Sequence, residues 1–465
     1  MSKEAVKSSK YEIDMTTGAI LPKMLRFTLP LLLSSMLQLL FNAADIIIVG
    51  KSGEMGDYYM GAVGSNGALI NLLIGFFIGL SVGSNVIAAR CFGSKDDEGL
   101  SKTVHTSMMI ALVSGALLTV VGLLLSRQML VLMGTPDELI GYSTTYLMIY
   151  FLGMIPTTVY NFGSSLLRAI GDTRRPLYYL TIAGVLNVLL NMFTVLVLDL
   201  NVAGVAIATV VSQTVSATLV VICLMREKGA IRFEWRKLSV DKSKLGQIVK
   251  IGLPAGLQGT LFSLSNVVIQ SSINKFGPDV VSGNSAAANL EGFVYVAMNS
   301  FYQAVISFVS QNFGQRNYRR IVKSQLIGIA CATVVGLVLG LGLTFVGKPL
   351  LHIYAQSQSV IDAGEIRFYY VAAPYFLCGI MDSLVGGLRG IGYSFAPMVV
   401  SLMGACVFRL VWIWGLFAVN PNAPITAVYV SYPISWALTA AVHAVCFVVL
   451  LKKVKKKYPE AEIKG

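Results

Sequence analysis

Apolar residues run along the chain in blocks of 22 to 29, separated by short polar stretches, from one end to the other. A bilayer core about 30 Å thick takes roughly 20 mostly apolar residues per helix, so each block is long enough to cross it. The pattern predicts helices over 27–49, 61–89, 104–125, 139–167, 177–199, 202–225, 251–274, 285–310, 321–346, 366–388, 395–418 and 424–451. The expected fold class is therefore all-α and integral to the membrane, with twelve transmembrane helices.

The pattern also repeats. Arg26-Phe-Thr-Leu-Pro30 opens helix 1 and Lys250-Ile-Gly-Leu-Pro254 opens helix 7, with Gly53 and Gly277 closing those units at the same offset of 224. Phe92-Gly93 recurs as Phe313-Gly314, and Leu167-Arg-Ala-Ile-Gly171 before Pro176 recurs as Leu388-Arg-Gly-Ile-Gly392 before Pro397, both at an offset of 221. Ordered landmarks of this kind mark an internal duplication. Six helices per copy is an even number, so both copies enter from the same side, and a pseudo-two-fold axis along the membrane normal should relate the lobes. The expected organisation is an N-terminal tail at 1–26, a lobe at 27–225, a basic connector at 226–250, a second lobe at 251–451 and a basic tail at 452–465.

Composition sharpens this picture. Charged residues make up 13% of 465 and hydrophobic ones 55%, far from the roughly 25% charge of a soluble domain. The net charge of +13 raises nucleic acid as a partner, but the positions of the 36 Lys and Arg argue otherwise. With a cytoplasmic N-terminus, 30 fall on the cytoplasmic side, five (Lys51, Arg127, Lys275, Lys348 and Arg367) in external loops or at their edges, and Arg409 alone deep within a helix. That is the positive-inside pattern of a multi-pass protein of the cell membrane with both termini cytoplasmic, and it needs no nucleic-acid partner. The connector, with eight basic and three acidic residues, should lie against anionic membrane lipids. Six scattered cysteines without a CxxC pair read as small core residues, and His105, His352 and His443 lie too far apart for a metalloenzyme spacing. No cofactor and no enzymatic activity are expected.

Intramembrane polar residues are the candidate chemistry, because a charge at the bilayer centre costs at least ~2.5–3.5 kcal/mol. Gln38, Asn42 and Asp45 share one face of helix 1, Asn187 and Asn191 stand at i, i+4 on helix 5, and helix 6 offers Thr209. Counted from the same membrane edge, Asp45, Asn191 and Thr209 agree in depth within roughly 6 Å. One carboxylate, two amides and a hydroxyl would form an oxygen-rich pocket for a proton on Asp45 or a sodium ion among its oxygens. The second copy is different: Ile269, Phe408 and Trp412 occupy the positions equivalent to Asp45, Asn187 and Asn191. It carries Glu291, Asp382 and Arg409 instead, with Tyr295, Asn299 and Gln303 on one face and Gln258 and Asn266 on helix 7. These faces are expected to line a substrate cavity, with Arg409 paired to Glu291. Two carboxylates against one arginine would leave the cavity acidic and favour organic cations. His443 reads as a buried neutral histidine.

The repeated halves, Phe41-Asn-Ala-Ala-Asp45-Ile-Ile-Ile-Val-Gly50, the Leu-Arg-x-Ile-Gly turns and Gly204-Val-Ala-Ile-Ala-Thr209 resemble the multidrug and toxic compound extrusion (MATE) family, nearest its prokaryotic DNA-damage-inducible branch. The resemblance covers about 20–451 and implies a cation-coupled antiporter with two six-helix lobes forming a V; because one chain already contains both lobes, a monomer is expected. Amphipathic, mainly cationic compounds would leave as H+ or Na+ enters, with Asp45, Asn187 and Thr209 matching the family's polar N-lobe residues. Asn191 departs from members that carry a second aspartate there, which argues against a two-carboxylate relay. A flippase for a lipid-linked metabolite is the alternative within the same superfamily.

Overall fold

The computed structural model describes residues 11–51, 55–354 and 356–460, and Gly53 of the first landmark pair lies outside them. The described residues form helices joined by short turns and loops, without strands. Ten helices are long and apolar enough to cross a membrane singly. In chain order they include α1 (Ile20–Gly50), α2 (Gly56–Gly93) and α3 (Asp97–Leu132). The pair Asp137–Leu152 and Met154–Ala169, bent by 51° at Gly153, forms α4. Next come α5 (Arg174–Val197) and α6 (Asn201–Arg226). Then α7 (Lys242–Ile273) opens on a polar turn, and its 32 residues reach about 48 Å, enough to span. The remaining spans are α8 (Pro278–Gly314), α9 (Tyr318–Val346), α10 (Gln358–Gly390), α11 (Phe395–Val419) and α12 (Ile425–Lys457).

The chain divides into two compact units, and the division does not follow the linear order. The first holds residues up to Asp14 and Leu33–Gly256; the second holds Met15–Leu32 and Leu257–Gly465. The early turns of α1 thus group with the second unit, and the early turns of α7 with the first. Pro30 and Pro254 lie inside α1 and α7, two residues before each helix changes unit. A proline removes a backbone donor and crowds the carbonyl four residues earlier, which makes those points the weakest in either helix.

The duplication is visible in backbone detail. Gly171 and Gly392 both take positive φ, 90° and 97°, after the repeated Leu-Arg-x-Ile. Asp172 N–H bonds Leu167 O at 3.0 Å, and Tyr393 N–H bonds Leu388 O at 2.9 Å, closing the same left-handed helix end. The turns after α2 and α8 match as well. Lys95 and Arg316 both have φ 56°, and Asp96 and Asn317 then cap the next helix by accepting from Gly99 N and Arg320 N at 2.9 and 3.0 Å.

Within the first unit α2 crosses the start of α7 on bare backbone. A Cβ at Gly79 would stand 2.3 Å from Gly256 N, and one at Gly83 2.2 Å from Ile248 O. Gly252 and Gly256 meet Leu80 O and Phe76 O in the same way, so the crossing is the close small-residue type of membrane helices. At one end of this unit Arg175 bonds both Asp172 and Glu227, tying the start of α5 to the end of α6. In the connector, Phe233 is buried beside His105 and Glu234 N–H donates to His105 Nε2 at 3.2 Å, while Trp235 stays 52% exposed. All six cysteines are free.

Candidate functional site

The polar residues of the first unit converge where α5 changes character. Its α-helical turns end at Asn191, and Met192–Val197 form a π turn, a local widening common at functional positions. Asn191 is fully buried and donates through Nδ2 to Asp45 Oδ1 and to Asn187 Oδ1, the latter at 3.3 Å. Asn187 Nδ2 continues the chain to Thr209 Oγ1 at 3.4 Å, and Thr209 donates to Val205 O at 2.9 Å. Asp45 itself is only 8% exposed. Asn191 Oδ1, buried beside that carboxylate, has no hydrogen-bond donor among the described residues.

Asp45, Asn187 and Thr209 of this group line a cavity of about 140 Å³ whose walls come from α1, α4, α5 and α6. Gln38, Asn42, Asp45, Asn187 and Thr209 all line it, so Gln38 and Asn42 share the cavity of the coupling-ion candidates. Thr157, Tyr160, Asn161, Ser212, Gln213 and Ser216 complete the polar wall. None of these six was among the expected site residues, although Thr209, Gln213 and Ser216 follow an i, i+4, i+7 stripe and Thr157 and Asn161 an i, i+4 step. Thr157 Oγ1 bonds Gln213 Oε1 at 2.6 Å. Beyond Asp45, Val49, Val195, Val202 and Val205 belong to one buried apolar cluster. Polar groups therefore face the carboxylate on one side and hydrocarbon on the other. The volume suits a few waters, a small cation or one polar end of a larger molecule, being well below the several hundred Å³ of a drug-sized pocket.

The second unit overturns part of the sequence reading. Glu291 does not pair with Arg409. It receives both arms of Arg367, Nε at 3.0 Å and Nη2 at 2.7 Å, while Arg367 Nη1 reaches Asn284 Oδ1 at 2.7 Å. Tyr429 donates to the same Asn284 oxygen at 3.1 Å. Arg367 was expected in an external loop, but α10 begins at Gln358 and draws it inside, where it is 7% exposed. Arg409 bonds Ser435 Oγ through Nε at 2.8 Å and lies over the Tyr432 and Trp436 rings, 4.2 and 5.3 Å from their centroids. Arg389, counted on the cytoplasmic side between the spans 366–388 and 395–418, is also buried and bonds Gln258 Oε1 at 2.9 Å and the Tyr302 hydroxyl. Three buried arginines thus face two carboxylates, and the charge balance that favoured an acidic cavity is gone.

The other candidates of this unit are less connected. Asn299 Nδ2 donates to the Tyr295 hydroxyl at 3.4 Å. Gln303 is half-buried, and Asn266 is exposed. Asp382 is half-buried and makes no hydrogen bond or ion pair among the described residues. His443 is fully buried, its Nε2 2.9 Å from Ser401 Oγ.

Comparison with known proteins agrees with this architecture. The chain is 27% identical over 427 residues to the probable multidrug resistance protein YoeA of Bacillus subtilis, covering 89% of this chain and 90% of that one. It is 21% identical over 431 residues to the multidrug export protein MepA of Staphylococcus aureus, covering 92% and 93%. Among solved structures, an outward-facing multidrug resistance MATE family transporter superposes with a TM-score of 0.89 at 20% identity, covering 97% of this chain and all of the other. A MOP superfamily transporter from Pyrococcus furiosus gives 0.89 at 20% identity, covering 97% and 99%, so the fold is the two-lobe MATE fold of twelve helices. The MatE family profile matches residues 30–193 and 254–414, well over half of the chain, and with the duplicated six-helix plan this means that the chain belongs to the MatE family and is a multi-pass membrane transporter.

Proposed function

We propose that the protein is a secondary active multidrug exporter that expels amphipathic, mainly cationic organic compounds in exchange for an inward cation. The observation that carries this reading is the buried Asp45 carboxylate in the wall of a polar cavity, held by Asn191 and by no cationic side chain among the described residues. Such a carboxylate is costly unless a cation visits it. The orphan Asn191 Oδ1 favours sodium, which takes several neutral oxygens around one carboxylate. A proton on Asp45 is the second reading, favoured by the depth of its burial. Asn191 leaves a single carboxylate here, so one positive charge per cycle neutralises the site. The names of the multidrug relatives support drug export; Asp382, which makes no ion pair among the described residues, supports a cationic substrate; and the basic connector supports both termini being cytoplasmic.

The test is a liposome assay with purified protein, a cationic fluorescent substrate, and sodium and proton gradients imposed separately. A sodium gradient is expected to drive substrate movement, and Asp45→Asn to abolish it with normal expression and reconstitution. Undiminished transport by that variant would remove Asp45 from coupling; drive by protons alone would select the second reading.

A further inference from the structure

The second unit buries a positive charge that the transport reading does not use. Arg409 is 4% exposed, on α11 just past a π turn at Leu402–Val407. Its equivalent in the first copy is Val188, so the duplication did not supply the charge. Ser435 gives its hydroxyl proton to Tyr432 O at 2.7 Å and therefore meets Arg409 Nε with a lone pair at 2.8 Å. The amino groups of the guanidinium, Nη1 and Nη2, donate to no acceptor among the described residues, and Nη2 is fully enclosed. The remaining neighbours are aromatic faces: the Tyr432 and Trp436 rings against the guanidinium, and Tyr375 stacked on Trp436 at 5.1 Å. Arg367 approaches the same Tyr432 ring, 5.6 Å from its centroid.

A guanidinium keeps its proton at any ordinary pH, so this charge cannot be discharged as a buried carboxylate or lysine can. No carboxylate among the described residues neutralises it. Glu291 is held by both arms of Arg367, and Arg409 forms no ion pair, so these side chains together keep one positive charge in excess. Contact with two rings offsets part of that burial. It leaves the amino groups without acceptors, in surroundings where an unmade hydrogen bond to a charged group is expensive. An anion that accepts from the guanidinium fork supplies both the charge and the lone pairs. The walls here also depart from regular α-helix. Within α10, Phe368–Ala372 is a π turn and Ala373–Tyr375 a 3-10 turn, α11 widens just before Arg409, and α12 carries Pro433 beside Tyr432. Departures of this kind mark functional positions. We propose that Arg409 anchors a second ligand site, contained within the second unit, for a singly charged anionic group: the carboxylate of a transported compound, or chloride from solution. It goes beyond the cation exchange proposed above and does not involve Asp45.

The test is the thermal midpoint of full-length protein in lipid nanodiscs, because a ligand that binds only the folded state raises it in a saturable way. Sodium gluconate is replaced stepwise by sodium chloride or by sodium benzoate at fixed sodium concentration and ionic strength, so that occupancy of any sodium site stays constant. The midpoint should rise to a plateau with at least one of the two anions, and Arg409→Gln should lose that rise. A rise with chloride alone assigns the anion to solution, and one with benzoate alone assigns it to a carboxylate on the transported compound; a rise with both supports the shared chemistry. No saturable rise in the wild type, or an equal rise in Arg409→Gln, would overturn the site. If Arg409→Gln does not fold, Arg409→Lys takes its place: it keeps the charge, loses the fork, and should bind the anion more weakly, while an unchanged titration would overturn the site. Asp45→Asn should keep the rise in full, so the anion site and the cation reading stand or fall separately.

Discussion

Glu291 shows how a single carboxylate changes meaning with its partner. As a lone acid in an apolar run it reads as a substrate anchor, but the bidentate grip of Arg367 gives it a neutralising partner at 2.7 Å. Removing one member of such a buried pair leaves the other charge uncompensated, at a cost of roughly 3–5 kcal/mol. Glu291→Gln should therefore lower the thermal midpoint in detergent markedly while transport per folded molecule changes little. Replacing the pair together, Glu291→Leu with Arg367→Met, should recover most of the midpoint. A variant that stays stable yet loses cationic substrates selectively would restore the anchor. Asp45, Asn187, Asn191 and Thr209 were legible because period and depth alone place them on facing stripes. Arg367 was not, because its partner lies 76 residues away and no local pattern encodes that distance.

At the scale of elements, the small residues decide which helices can meet. Gly79 and Gly83 on α2 and Gly252 and Gly256 on α7 each leave a backbone open to the other helix. Gly256→Ala would push a methyl group to 2.3 Å from Phe76 O, and overpacking of this kind costs about 1–3 kcal/mol. Gly259→Ala, three residues on and facing open space, should be neutral or slightly stabilising, since alanine is the better helix former. Equal midpoints for the two variants would mean that the crossing relaxes freely. The spacing Gly-x3-Gly is plain in both segments of the sequence. That these two segments pair with each other is not, because several other glycines in the chain have nothing near them at all.

For the whole molecule, the distribution of Lys and Arg makes a prediction independent of any site. A fluorescent protein fused after Gly465 should fold and fluoresce, and an alkaline phosphatase fused there should be inactive, because both termini are expected in the cytoplasm. The reverse pattern would invert the topology and with it the direction of the proposed exchange. The sequence by itself determined the class, the number of helices and the duplication, since hydrophobic length, charge asymmetry and turn glycines are local properties that the bilayer reads directly. It also determined that the two copies differ, because the position equivalent to Asp45 in the second copy holds Ile269. Only the tertiary structure decided that the early turns of α1 and α7 group with the opposite units, that Arg367 neutralises Glu291, and that Gln38 and Asn42 share the cavity of Asp45. Those outcomes depend on which helix faces pack together, a choice made by shape and buried charge over long sequence separations, which periodicity along one helix cannot carry.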